Sequence, residues 1–177
     1  MDEATALAVA ARGGDRVALA AFVRATQRDV WRFCAHVGGR ESTEDWAQET
    51  YVRALRALAA YRADAPARVW LLGIARRVAA DAVRTEVRRR RAFGLLGAPA
   101  RAAQGPADHV DAVLLLDALD ADRRAAFVLT QVIGLTYDEA AAACACPVGT
   151  IRSRVARARD QLVSQWAATG SDAATPR

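Results

Sequence analysis

The chain has 177 residues, enough for one domain or two small ones. A hydrophobic fraction of 53% with a net charge of +5 describes a folded protein and excludes a disordered one. Three cysteines, an odd number, exclude a framework of paired disulfides, and no apolar run approaches the ~20 residues of a membrane span.

Much of the apolar fraction is alanine, the best helix former, so the composition leans towards an all-α fold. All 25 basic residues are arginine. A bias towards GC-rich codons accounts for that. So does bidentate phosphate binding, and only position can separate the two. A pI near 9.8 allows a nucleic-acid partner. The acidic start "MDEATALAVAARGGD" lacks the basic flank of a signal peptide, so the expected location is a reducing cytoplasm with free thiols.

Gly13-Gly14 and Gly38-Gly39 punctuate the first segment. Between them, Leu19, Phe22, Val23, Val30, Phe33 and Val37 are spaced as on an amphipathic helix. Ser42 is placed to cap the next helix, with Asp45 near its N3 position, and that helix runs to about Leu58. Its inner face carries Ala47, Tyr51, Ala54 and Leu58. Its outer face shows Asp45, Glu49 and Arg56, with Gln48 at the edge and Trp46 partly outward. Such a face suits a solvated surface and a docking site for a basic protein equally well.

Tyr61 to Pro66 reads as a loop, because proline disfavours helix at the residue before it. A helix follows from about Arg68 into "RTEVRRRR", burying Leu71, Ala75, Val78 and Ala82. Gly73, Arg77, Ala80 and Arg84 line its opposite face, with Arg76 beside them, where a phosphate backbone can lie. Tyr61 and Trp70 bracket the loop. They fit stacking on unpaired bases, although Trp70 also fits a place in the core.

From Ala92 the texture turns to glycine, proline and alanine, a linker. Helical patterning resumes and leads into "LTYDEAAAACACPVGTIRSRVARARDQL". Thr136 and Glu139 make a T-x-x-E capping box, the first helix ends near Cys144, and Pro147 suits the first position of a second helix. On a wheel of 100° per residue, Val148, Ile151, Val155, Ala158 and Leu162 share one face. Gly149, Ser153, Ala156 and Arg157 lie opposite, with Arg152 and Arg154 flanking. Small residues interleaved with arginine suit close approach to a DNA groove. Arg159 lies nearer the buried face, and Trp166 opens a frayed tail. Cys144 and Cys146 lack the further ligands that a zinc site needs, so they read as small residues at a tight turn, while the closeness of two thiols leaves a thiol switch open as the alternative.

"DWAQETYVRAL", "RVWLLGIARRVAADAVR" and the helix-turn-helix stretch, in this order, resemble the bacterial extracytoplasmic-function (ECF, group IV) RNA polymerase sigma factors. The resemblance spans Leu7 to Trp166, and details such as "ATQRDVWRF" are most similar to the actinobacterial sigma-C type. It implies two small helical domains joined by a flexible linker: residues 1–91 as region two, 92–108 as linker, 109–166 as region four and 167–177 as tail. It implies that Asp45, Gln48 and Glu49 bind the β′ clamp helices of core RNA polymerase, and that the second domain meets the β flap. It further implies that Tyr61, Arg62, Asp64, Arg68, Trp70, Arg76, Arg77 and Arg84 contact the −10 promoter element. The implied −35 contacts are Thr150, Arg152, Ser153, Arg154 and Arg157. No cofactor, metal, catalysis or membrane contact is implied, and an anti-sigma protein stands as a candidate partner. Arg77 and Trp46 depart from the family's usual asparagine and leucine, which bears on −10 preference and clamp packing. A stand-alone helix-turn-helix regulator leaves the acidic face and long arm unexplained. An enzyme or metal-dependent redox sensor finds no constellation to support it.

Overall fold

The structure, a computed structural model, describes residues 1–92 and 115–172. The expected linker, beyond its first residue, lies outside the described residues, as do residues 173–177. The fold is all-α, and no strand occurs among the described residues. Nor is any described helix long and apolar enough to cross a membrane.

Helix α1 (Glu3–Arg12) starts at Asp2, whose carboxylate accepts hydrogen bonds from the Thr5 backbone N at 3.0 Å and Thr5 Oγ1 at 2.5 Å. The Thr5 hydroxyl bond holds the Asp2 carboxyl below the usual range. Helix α2 (Arg16–Gly38) is capped by Asp15, which accepts from the backbone of Val17 and Ala18. Phe22, Val30, Phe33 and Val37 are buried along it as the spacing predicts, and Leu19 and Val23 are half-buried.

Helix α3 (Arg40–Ala57) begins two residues before the expected cap at Ser42. Gly39 adopts φ 72°, which lets the chain turn straight from α2 into α3 without a side-chain cap. Thr43 Oγ1 donates to the Gly39 carbonyl at 2.7 Å, and Ser42 sits inside the first turn. The same corner seats Trp46, which is half-buried. Its ring lies over Gly38, where a Cβ would come within 2.4 Å, so Trp46 is packed against the core.

A 3₁₀ turn (Leu58–Ala60) leads into the loop at Tyr61 and helix α4 (Ala67–Ala92). Leu71, Ala75 and Val78 are buried as expected, while Ala82 is half-buried. Thr5 Oγ1 accepts from the Ala67 backbone N at 2.9 Å, so α1 holds the start of α4.

In the second segment, Asp120 caps α5 (Ala121–Phe127), which passes into a π turn (Val128–Val132). Gly134, at φ 82°, ends it. The capping box is present. Thr136 Oγ1 accepts from the Glu139 backbone N at 3.2 Å, and Glu139 Oε2 accepts from the Thr136 backbone N at 2.8 Å. Helix α6 (Tyr137–Cys144) stops at Ala145, a left-handed residue with φ 50°. That conformation costs an alanine about 1–2 kcal/mol. Helix α7 (Val148–Asp172) follows Pro147 and buries Ile151, Val155 and Ala158. Instead of fraying at Trp166 it stays helical to Asp172, as alanine-rich sequence favours.

The two halves share one buried core. Helix α6 crosses α4 at Gly73, where a Cβ would stand 3.2 Å from the Ala143 carbonyl oxygen. This corrects the open face expected on α4: Gly73 is buried and Arg76 half-buried beneath the second domain.

Gly38→Ala is expected to lower the melting temperature, costing about 1–3 kcal/mol because the Trp46 ring must move; calorimetry measures it. Burial pushes the Cys34 thiol up to about 12 and the Cys144 thiol up to about 11. Thiols raised in the fold stabilise it fully below about pH 9. That stability drains as pH rises towards 11 and 12, where the folded thiols ionise. Thermal melts across pH 8–11 are therefore expected to show falling stability, with a shallower fall in Cys34→Ala.

Candidate nucleic-acid and polymerase interfaces

The capped α6, the turn at Ala145 and α7 make a helix-turn-helix, and α5 supplies the apolar platform behind it. With Ile151 and Val155 locked inward, the outward face of α7 is set by helical geometry. Arg152, Ser153 and Arg157 are exposed on it, and Thr150 is half-buried. Ser153 Oγ donates to the Thr150 carbonyl at 3.0 Å. Gly149 has open space where a side chain would stand. Neither Arg152 nor Arg157 forms an ion pair among the described residues. Arg154 differs: it bonds Asp122 and points Nη1 at Cys146 Sγ, 3.8 Å away. Arg159 reaches the Gln131 side chain at 2.6 Å.

The loop and α4 hold the second arginine group. Tyr61 is 4% exposed, its hydroxyl donates to the Ala65 carbonyl at 2.7 Å, and its ring sits 4.8 Å from that of Trp70. Burial raises the Tyr61 hydroxyl above its ordinary range. The Tyr61 ring thus supports Trp70 from within, and Trp70 itself is half-buried. Arg62 and Asp64 face solvent and pair loosely at 3.5 Å. Trp70, Gly73 and Arg77 line a cleft of about 140 Å³ whose far wall is Ala142 and Ala143 of α6. Arg77 is exposed there.

Arg68 and Arg76 are already engaged. Arg68 bonds Asp29 at 2.5 Å and the Ile133 carbonyl at 2.8 Å. Arg76 donates to the Cys144 carbonyl at 3.2 Å and lies 3.7 Å from Asp122, while its Nε is buried without a partner. Asp122 therefore bridges one arginine of α4 and one of α7. No local signal marks Asp122 in the sequence, because only tertiary packing brings its two partners together.

On α3, Asp45 and Gln48 are exposed, and Glu49 accepts from Arg53 at 2.7 Å. Arg53 also bonds Asp81 of α4 at 2.6 Å, and Arg84 reaches the same carboxylate at 2.5 Å. Arg53 and then Arg84 hold the Asp81 carboxyl below the usual range. Leu55, 48% exposed, and Val52 fall on the Asp45–Gln48 side of the helix. They escaped the sequence reading although the seven-residue step from Gln48 to Leu55 was there to find them.

Residues 22–89 match the family model for sigma-70 region 2, and residues 110–162 match that for sigma-70 region 4. This defines a sigma factor, the subunit with which RNA polymerase recognises promoters and initiates transcription. The chain is 48% identical over 170 residues to the ECF RNA polymerase sigma factor SigC of Mycobacterium tuberculosis, covering 92% of this chain and 91% of that protein. It is 34% identical to EcfG of Rhodopseudomonas palustris, covering 71% of each. Among solved structures, CnrH in complex with the cytosolic domain of CnrY aligns with a TM-score of 0.73 at 26% identity, over 94% of this chain and 99% of that one. RpoE bound to NepR, from Bartonella quintana, aligns at 0.71 and 28%, over 79% and 91%. The chain belongs to the ECF RNA polymerase sigma factors.

Asp122→Ala removes the carboxylate shared by Arg76 and Arg154. It is expected to raise the radius of gyration in small-angle scattering, with helicity by circular dichroism unchanged. Iodoacetamide at neutral pH is expected to label half-exposed Cys146 ahead of Cys34 and Cys144, whose burial keeps them protonated; peptide mass spectrometry reads the order.

Proposed function

We propose that residues 1–91 bind core polymerase and engage the −10 element, and that residues 109–166 read the −35 element. The observation that carries this is the exposed, unpaired pair Arg152 and Arg157 on a helix-turn-helix second helix whose other face is locked in the core. Arginine at such positions can bond guanine bidentately, while Ser153, Thr150 and Gly149 let the backbone come close. Arg154 joins them once released from Asp122.

In the first domain, Asp45, Gln48 and Glu49 form the dock for the β′ clamp helices, and Val52 and Leu55 add its apolar part. Arg62, Asp64, Trp70, Arg77 and Arg84 meet the −10 strands, with Tyr61 backing Trp70. The protein performs no covalent chemistry; captured bases offset the lost stacking and pairing of the melted duplex. Arg68, bonded to Asp29 and the Ile133 carbonyl, and Arg76, bonded to the Cys144 carbonyl and beside Asp122, have only part of their donors left for DNA in this arrangement. That RpoE is solved with the anti-sigma factor NepR supports a protein of that kind as a partner here. The site of action is the cytoplasm, where core polymerase and promoter DNA are.

In-vitro transcription with core polymerase on a promoter library tests the reading, and failure to start any transcript would overturn it. Arg157→Ala is expected to weaken −35 discrimination by about 1–3 kcal/mol. Glu49→Ala is expected to weaken core binding and leave the promoter sequence preference in place.

A further inference from the structure

Helix α1 carries none of the contacts proposed above, yet it grips both ends of the loop that presents Arg62 and Asp64. At one end Arg12, the last residue of α1, donates from Nη1 to the Tyr61 carbonyl at 2.8 Å. At the other end Thr5 Oγ1 accepts from the Ala67 backbone N at 2.9 Å. The partners are 49 and 62 residues apart in the chain. Ala8 and Ala11, on the helix between the two anchors, are buried.

The Thr5 bond acts as a helix cap borrowed from another helix. Ala67 opens α4, and its N–H has no partner within that helix. Ala67 is fully buried, so water cannot serve it either. Pro66, just before it, has no side chain that can accept. The Thr5 hydroxyl takes that place, and it is itself oriented. It donates its proton to Asp2 Oδ2, which leaves its lone pairs for Ala67.

Between the anchors the loop holds a shape that its own residues disfavour. Ala63 stands at φ 59°, in the left-handed region that alanine avoids. Such a residue keeps its place only where its surroundings fix it. Inside the loop the Tyr61 hydroxyl ties to the Ala65 carbonyl at 2.7 Å, and the Tyr61 and Trp70 rings meet at 4.8 Å. Arg12 and Thr5 fix the same span from outside. Arg62 and Asp64 flank Ala63 and are exposed, so a change of φ at Ala63 swings one against the other. Groups that read a base must be held within about half an ångström of their mark.

We infer that α1 is the seat of the −10 loop, with Thr5 and Arg12 as positioning residues that hold Arg62, Asp64 and Trp70 in the shape that reads the −10 element. Neither residue touches DNA. The inference rests on the −10 assignment of the first domain and extends it.

The test uses holoenzyme assembled from core polymerase and the full chain, on promoter libraries randomised at the −10 or the −35 element. Thr5→Val keeps the side-chain shape and removes the hydroxyl. Arg12→Ala removes the other anchor at an exposed position. Each is expected to flatten the −10 preference ~5–10-fold, the scale of one lost positioning bond, with core affinity and −35 preference unchanged. Thr5→Ser, which keeps the hydroxyl, is expected to restore the −10 preference. An unchanged −10 preference in both variants overturns the inference. So does a fall in which core affinity and both preferences decline together, because that marks a general loss of fold. Arg62→Ala separates the two readings. If it flattens the −10 preference and the α1 variants do not, only the seat fails. If none of them does, the −10 assignment fails with it.

Discussion

Helix α4 has to serve as a wall for two domains at once, and a glycine makes this possible. One side of α4 buries Leu71, Ala75 and Val78 inside the first domain. The other side meets α6 so closely that a Cβ at Gly73 would stand 3.2 Å from the Ala143 carbonyl oxygen. Ala142 and Ala143 of α6 face this side of α4, and their small side chains let the helices come close. The contact also uses the polarity of α6. Its last carbonyl, at Cys144, accepts from Arg76, so a guanidinium sits at the negative end of that helix.

This packing sorts the arginines into two groups. Arg68, Arg76 and Arg154 are spent on protein acceptors: Asp29, Ile133, Cys144 and Asp122. Arg77, Arg152 and Arg157 remain exposed. The division shows that a basic composition is not itself a binding surface. Asp122 matters because its single carboxylate takes one arginine from each half.

Local chemistry explains how much of the fold was readable. The T-x-x-E box at Thr136 and the apolar spacing of Val148, Ile151, Val155 and Ala158 act within a single helix, and the structure has them as read. The start of α3 was misplaced because Ser42 looked like a cap, while Gly39's left-handed turn made a cap unnecessary. Trp46 was set partly outward by its wheel position. It is half-buried, and only the tertiary structure shows that its inner side packs over Gly38 of the neighbouring helix.

The sequence by itself therefore determined the helical class, the helix-turn-helix, the family and the outward arginines of α7, since each depends on spacing within a few turns. Tertiary structure alone decided that Tyr61 lies inside, that Gly73 is covered and that Arg68 and Arg76 are engaged. It also decided that Asp122 joins the two halves. The physical reason is that such contacts join residues far apart in the chain, and the sequence pattern around each partner carries no mark of the other.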